Sequence, residues 1–191
     1  AIFRSEYDDK QESILIPVDL SNVATVVRNA SSLEMTGLEL EVMYQVTEAW
    51  DVLATYGYLK SEYDDYLADL TGDGVITDNS DLVPRNTPEN TFGLTTSYTT
   101  QIGNGDLKAR VSYRFRDSME SESQNNPLGS LDSIHNVNAN INYTIENYTV
   151  SVWGRNITDE REERWSTIGG LTSRGWWNEP ATYGVTVSAS F

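Results

Sequence analysis

The sequence predicts an all-β protein: an antiparallel transmembrane β-barrel, of which about eight strands are present. Three observations predict it. Apolar and polar residues alternate with a period of two in segment after segment, short and long connections follow each other in turn, and no long apolar run occurs. A period of two is that of a strand with one oily and one wet face.

Strands are expected at residues 1–12, 22–46, 49–63, 89–101, 106–117, 133–145, 148–157 and 181–191. In the second, Leu38, Leu40, Val42 and Tyr44 oppose Glu39, Glu41 and Met43; it is overlong, and a bulge is expected near Ser31 and Ser32. In the fifth, Leu107, Ala109, Val111, Tyr113 and Phe115 oppose Lys108, Arg110, Ser112, Arg114 and Arg116. The sixth sets Val137, Ala139, Ile141, Tyr143 and Ile145 against Asn136, Asn138, Asn140, Asn142 and Thr144. The last sets Tyr183, Val185, Val187, Ala189 and Phe191 against Gly184, Thr186, Ser188 and Ser190.

Between strands, short turns near Thr47–Glu48, at "IGNG" and at Glu146–Asn147 alternate with long connections at 13–21, 64–88, 118–132 and 158–180. All short turns then fall at one end of the sheet, as in an outer-membrane barrel. Segments of about ten residues match the 9–11 that a tilted strand needs to cross a bilayer. The apolar face would meet lipid, and the Lys, Arg, Glu and Asn face would line a wet lumen. Aromatics at strand ends, among them Trp50, Tyr58, Tyr98, Tyr113, Phe115, Tyr143 and Tyr148, suit interfacial girdles. Alternation alone also suits a soluble sugar-binding β-sandwich with the apolar face inside.

Composition excludes other classes. The formal charge of −16 argues against nucleic acid as a partner, since its phosphates would be repelled. With no cysteine and His135 as the single histidine, thiolate chemistry and multi-histidine metal sites fall away. Enzymatic activity is not expected. Glu39 and Glu41 share one strand face, and only their spacing would suit a glycosidase pair.

Five segments stand out in order: "FRSEYDDKQ", "TGLELEVMYQVTEAWDVLATYGYLKSEYDDY", "VPRNTPENTFGLTTSYT", "SVWGRNITDEREERW" and "EPATYGVTVSASF". In this order they resemble the C-terminal barrel portion of the TonB-dependent outer-membrane receptors, with Ile157 where the family has Leu and Ala181 where the family more often has Arg. The resemblance implies a plugged barrel of about 22 strands that imports a scarce nutrient such as a metal chelate, cobalamin or oligosaccharide. Residues 1–191 would be its C-terminal part, the plug and earlier strands lying outside this chain. It implies outer-membrane lipid as surroundings and TonB as a partner acting through the plug. It also implies an assembly signal, read by the barrel-assembly machinery, at Tyr183, Val185, Val187 and Phe191. The alternative is a self-contained eight-stranded pore or adhesin, but so many inward charges leave little apolar material to fill a small barrel.

Two loops carry candidate sites. In "DLTGDGVITDNSD", Asp69, Thr71, Asp73 and the Val75 carbonyl stand at the spacing of an EF-hand calcium loop, with Gly74 at the sharp turn. Position twelve is Ser80, so Asp78 or Asp81 would have to complete a Ca2+ site; a simple acidic turn is the other expectation. In "EREERWSTIGGLTSRGWWNE", Trp165, Trp176 and Trp177 offer platforms for rings, and Arg174 a fork for carboxylate or phosphate, as a substrate-capturing mouth; an aromatic girdle with loop packing is the other expectation.

Overall fold

The computed structural model describes residues 1–18, 23–169 and 172–191. Its strands are β1 (Ile2–Pro17), β2 (Val23–Thr47), β3 (Trp50–Ala68), β4 (Thr77–Asp78), β5 (Asn90–Ile102), β6 (Gly105–Arg116), β7 (Met119–Glu120), β8 (Ser130–Leu131), β9 (Ile134–Ile145), β10 (Tyr148–Arg155), β11 (Glu163–Gly169), β12 (Thr172–Trp177) and β13 (Thr182–Ala189). The eight long strands pair in sequence order, β1-β2-β3-β5-β6-β9-β10-β13, each antiparallel to its neighbour. They are the eight expected strands. β4 pairs with the end of β3, while β7–β8 and β11–β12 form separate small ribbons in the loops.

Register turns the alternation into rows that cross the whole sheet. One face carries Leu40, Tyr56, Phe92, Phe115 and His135 in line, and lower down Trp50, Tyr98, Ala109, Ile141, Val152 and Val185. The other face carries Glu41, Thr55, Gly93, Arg114 and Asn136, and lower down Asp51, Ser97, Arg110, Asn140, Trp153 and Gly184. The apolar face is open: Leu40, Val42, Val152 and Val185 are 50%, 57%, 53% and 67% exposed. No second sheet packs on it among the described residues, so the sandwich expectation does not hold. Nor does a closed eight-stranded barrel, because β1 and β13 are the two ends of the path.

From Gly105 to Phe115 the strand rises about 33 Å, or about 23 Å along the membrane normal at a tilt of roughly 45°. That matches an apolar band of about 25 Å. Trp50, Tyr98, Tyr143 and Tyr148 lie towards the short-turn end of this band, and Tyr56, Phe92 and Phe115 towards the other. At the upper level His135 shares a hydrogen bond of 2.8 Å with the Tyr113 hydroxyl and lies 5.0 Å from the Phe115 ring.

The first expected long loop, residues 13–21, is mostly strand. Ser13 to Pro17 pair with Val27 to Val23, and residues 19–21 lie outside the described residues. The β-branched residues of "SILIPV" favour extension, and Pro17 stands at a strand end where its missing amide is harmless. β3 likewise runs on to Ala68. With 25 residues in β2, more than half of that strand projects beyond what a bilayer needs.

The bulge expected at Ser31–Ser32 is a cluster of irregularities around them. Register shifts fall between Tyr7 and Lys10, between Lys10 and Gln11, and between Ser32 and Leu33, with Asp9 at a positive φ of 53°. The shifts aim the inner faces of β1, β2 and β3 at one another, and there the compact core sits: Ile14, Leu33, Tyr63, Tyr66 and Ala68, with Met35, Leu70 and Leu82 against it. Below that cluster the wall is a single layer.

Candidate functional site

The three short turns lie at one end of the sheet, so the larger connections gather at the other and form a mouth. They are stitched together. The Asn125 side chain donates to the Val83 carbonyl (2.8 Å) and accepts from the Val83 amide (2.6 Å), joining the 117–133 connection to the 69–89 connection. Ser121 donates to the Ser166 carbonyl (2.8 Å) and Ser166 donates to the Leu128 carbonyl (3.1 Å), joining the 117–133 connection to β11.

At the centre of this stitching is Glu12, fully buried above the bilayer. Its carboxylate accepts from the Tyr63 hydroxyl (3.0 Å) and the Ser123 hydroxyl (2.6 Å), pairs with Lys10, and has Arg85 at 3.7 Å. Burial pushes this carboxyl up, but Lys10 and the Ser123 and Tyr63 hydroxyls outweigh it and hold the pKa below the ordinary value. Burial, with Glu12 beside it, drives the Tyr66 phenol up to about 12. Sequence reasoning missed this node, since "DDKQES" reads as exposed strand.

The expected mouth residues divide between two faces. In the β11–β12 ribbon, Trp165 pairs with Trp176, their ring centroids 5.5 Å apart, and Arg174 stands two residues along the same face. Trp165 and Trp176 are 43% and 73% exposed. Trp177 follows Trp176 and points the other way. Arg161 lies over its ring at 5.1 Å, and it borders a depression of about 490 Å³ shared with Arg114, Arg155 and Arg164. The structure therefore groups Trp165, Trp176 and Arg174, and puts Trp177 with arginines the sequence had not singled out for binding.

Below this depression lies a second, of about 270 Å³, bordered by Arg110, Ser112, Asn138, Asn140, Trp153 and Arg155. Trp153 is the single aromatic on the polar face of β5, β6, β9, β10 and β13. Its indole donates to Thr186 (3.1 Å) and lies against Gly184, where a Cβ would overlap the ring. The Arg155 guanidinium stacks over it at 5.3 Å. Among the described residues, ion pairs engage Arg114, with Glu162 at 3.2 Å, but not Arg110, Arg155 or Lys108.

A family model described as TonB dependent receptor-like, beta-barrel matches residues 1–157. The chain belongs to the TonB-dependent receptors. Three solved structures are similar in fold. The ferric yersiniabactin uptake receptor of Yersinia pestis superposes with a TM-score of 0.76 at 16% identity, over 100% of this chain and 27% of its own. A siderophore receptor of Acinetobacter baumannii gives 0.69 at 21%, over 97% and 24%. The ferric-catecholate import receptor of E. coli gives 0.70 at 20%, over 100% and 24%. The chain thus spans about a quarter of the length of these receptors.

As a TonB-dependent receptor barrel the sheet belongs to the outer membrane, and its family consists of receptors and transporters rather than enzymes. An open sheet is what part of a larger barrel shows, since hydrocarbon does not tolerate unpaired edges. The family's Asn-x-Thr-Asp element, here Asn156 to Asp159, is a corner joining β10 to β13. Asn156 (φ 48°) donates to the Glu160 and Glu179 carbonyls at 2.9 and 3.1 Å, and Asp159 (φ 52°) accepts from the Ala181 amide at 2.8 Å. Tyr183, Val185 and Val187 share the lipid face of β13, 66%, 67% and 69% exposed, and Phe191 lies fully exposed beyond its end.

In the 69–81 loop the carboxylates turn inward on their own backbone. Asp69 accepts from the Gly72 and Gly74 amides at 2.7 and 2.8 Å, Asp73 from the Val75 amide at 2.8 Å, and Asp78 from the Ser80 amide at 3.1 Å and from its hydroxyl. Burial pushes Asp69 up, but the Gly74 and Gly72 amides outweigh it and lower its pKa; the Ser80 hydroxyl and amide lower that of Asp78. Among the described residues no three Asp, Glu, His or Cys side chains gather where they could hold a metal ion. The donor set has the form of an acidic turn.

Proposed function

We propose that the protein is the C-terminal barrel portion of an outer-membrane importer driven by TonB, and that its cargo is an anionic metal chelate of the siderophore kind. The observation that carries this reading is the basic, asparagine-lined inner wall of β6, β9 and β10, in a chain whose formal charge is −16. A chain so acidic that keeps cations on its inner wall favours anions there. The ferric chelates named for the Y. pestis and E. coli receptors support the cargo class by fold analogy. In this reading TonB acts through a plug outside this chain, and the assembly machinery engages Tyr183, Val185, Val187 and Phe191. The Trp165–Trp176 face would serve as the first contact for a ring-bearing ligand. Calcium in the 69–81 loop would have to draw Asp69 away from two backbone amides.

The test is binding and energised uptake of radiolabelled iron(III) tris-catecholate by cells that have the full-length receptor as their single importer. Uptake abolished by loss of TonB, with binding weakened about tenfold by Trp176→Ala, an amount in the range of an aromatic stacking contact, is the expected result. Binding of neutral oligosaccharides with no affinity for ferric chelates would sink it.

A further inference from the structure

The inner wall carries more than scattered cations. On β6, side chains of one face recur every two residues, about 7 Å apart along the strand. Arg116, Arg114, Arg110 and Lys108 occupy four such levels from the mouth downward, opposite Ile134, Asn136, Asn140 and Asn142 of β9. The level between Arg114 and Arg110 holds Ser112, opposite Asn138.

That gap is filled from another strand. Gly154 of β10 pairs with Ala139, so the next residue, Arg155, stands level with Asn138 and Ser112. Arg155 borders both the upper and the lower depression, and its stacking on Trp153 holds its donors in place between them. Each of five successive levels therefore carries one cation: Arg116, which donates to the Asp117 and Asp132 carbonyls, Arg114, paired with Glu162, and then Arg155, Arg110 and Lys108, which no ion pair engages among the described residues. The asparagines that face them on β9 stand on the same levels, with Asn138 donating to Asn136 and Asn136 to Asn156. The first carboxylate on this face of β6 is Asp106, one level below Lys108.

We propose that these five side chains form a descending anion track, along which a negatively charged ligand is handed from the mouth to the lower lumen. Arg155 is its central step. This deepens the import reading and rests on it for the direction of travel. Steps of about 7 Å let an extended polyanion touch two cations at once, so no single level becomes a trap. The stacked Trp153 would lie beside any ligand that passes Arg155 and Arg110.

The test uses the full-length receptor in detergent, with iodide, caesium and acrylamide as anionic, cationic and neutral quenchers. The Trp153 signal is the difference between wild-type fluorescence and that of Trp153→Phe. Iodide should quench this signal on the order of tenfold more effectively than caesium, and the double variant Arg110→Gln/Arg155→Gln should erase the preference at an unchanged melting temperature. Equal quenching by the two ions, or a preference that survives the double variant, would overturn the track. A lowered melting temperature without a change in quenching would mean that these cations pair with carboxylates of the plug, which overturns it too. The uptake experiment above is independent, so import can fail with the track intact, or the reverse.

Discussion

Ser123 donates a 2.6 Å hydrogen bond to Glu12, 111 residues earlier in the chain, and this contact fastens a loop of the mouth to the first strand. Because Glu12 is fully buried, removing its charge leaves Lys10 and Arg85 facing each other without a counter-charge. Glu12→Gln is expected to destabilise the outer part of the sheet by about 3 kcal/mol, and Ser123→Ala by about 2 kcal/mol. Limited proteolysis on intact cells reads this directly: the 117–133 connection should be cut faster in both variants while the membrane-embedded strands stay protected.

Acid should release the same node. The folded pKa of Glu12 is depressed below its unfolded value, so its contribution is complete above the unfolded value of 4.5 and is lost as pH falls through the folded value. Asp69 and Asp78 have the same sign. Hydrogen exchange of the 69–89 and 117–133 connections should therefore be flat from neutral pH down to about 5, and protection should fall below pH 4.5. Loss of protection on raising the pH instead would contradict the assignment.

The 69–81 loop should hold its shape without calcium, because Asp69 already satisfies the Gly72 and Gly74 amides. Chelation by EDTA is expected to leave proteolytic cutting of this loop unchanged. Asp69→Ala should increase it, since two amides lose their acceptor. Protection that appears only with millimolar calcium would favour the EF-hand-like arrangement.

Val152 and Ser151 are neighbours on opposite faces of β10. Val152→Arg puts a guanidinium into lipid near the middle of the apolar band and should cost about 2–4 kcal/mol, seen as lowered resistance to urea in bilayers. Ser151→Arg adds the same charge to the wet face and should be near neutral.

Gly184→Ala would press a methyl group against the Trp153 ring. The indole has to swing off β13 and give up its bond to Thr186, at a cost of about 1 kcal/mol. A shift in tryptophan emission together with weaker iodide quenching would register the movement; an unchanged spectrum would mean that the ring does not rest there.

The strands were legible because the bilayer demands strict alternation, so Val137 to Ile145 and Asn136 to Thr144 declare their faces locally. Trp153 was legible in principle by the same parity, one residue after Val152. Arg155 as the missing step beside Ser112 was not, because their common level depends on the register of β6, β9 and β10 together. Glu12 was harder still: its partners Tyr63, Arg85 and Ser123 lie 51 to 111 residues away or on other connections, and no local pattern marks a glutamate as buried. Tertiary contact, not periodicity, decides such residues.

From β5 to β13 the pairing of the long strands runs without a register shift among the described residues, whereas the shifts gather in the projecting parts of β1, β2 and β3 and at the turn after Gln45. A slip of one residue inside the bilayer would turn a whole strand inside out, charges into lipid and valines into the lumen. The membrane thus acts as a proofreader: insertions and deletions are expected to be tolerated in the tower above it and rejected within it. Sequence drift in this protein should be written in length changes outside and in like-for-like exchanges inside.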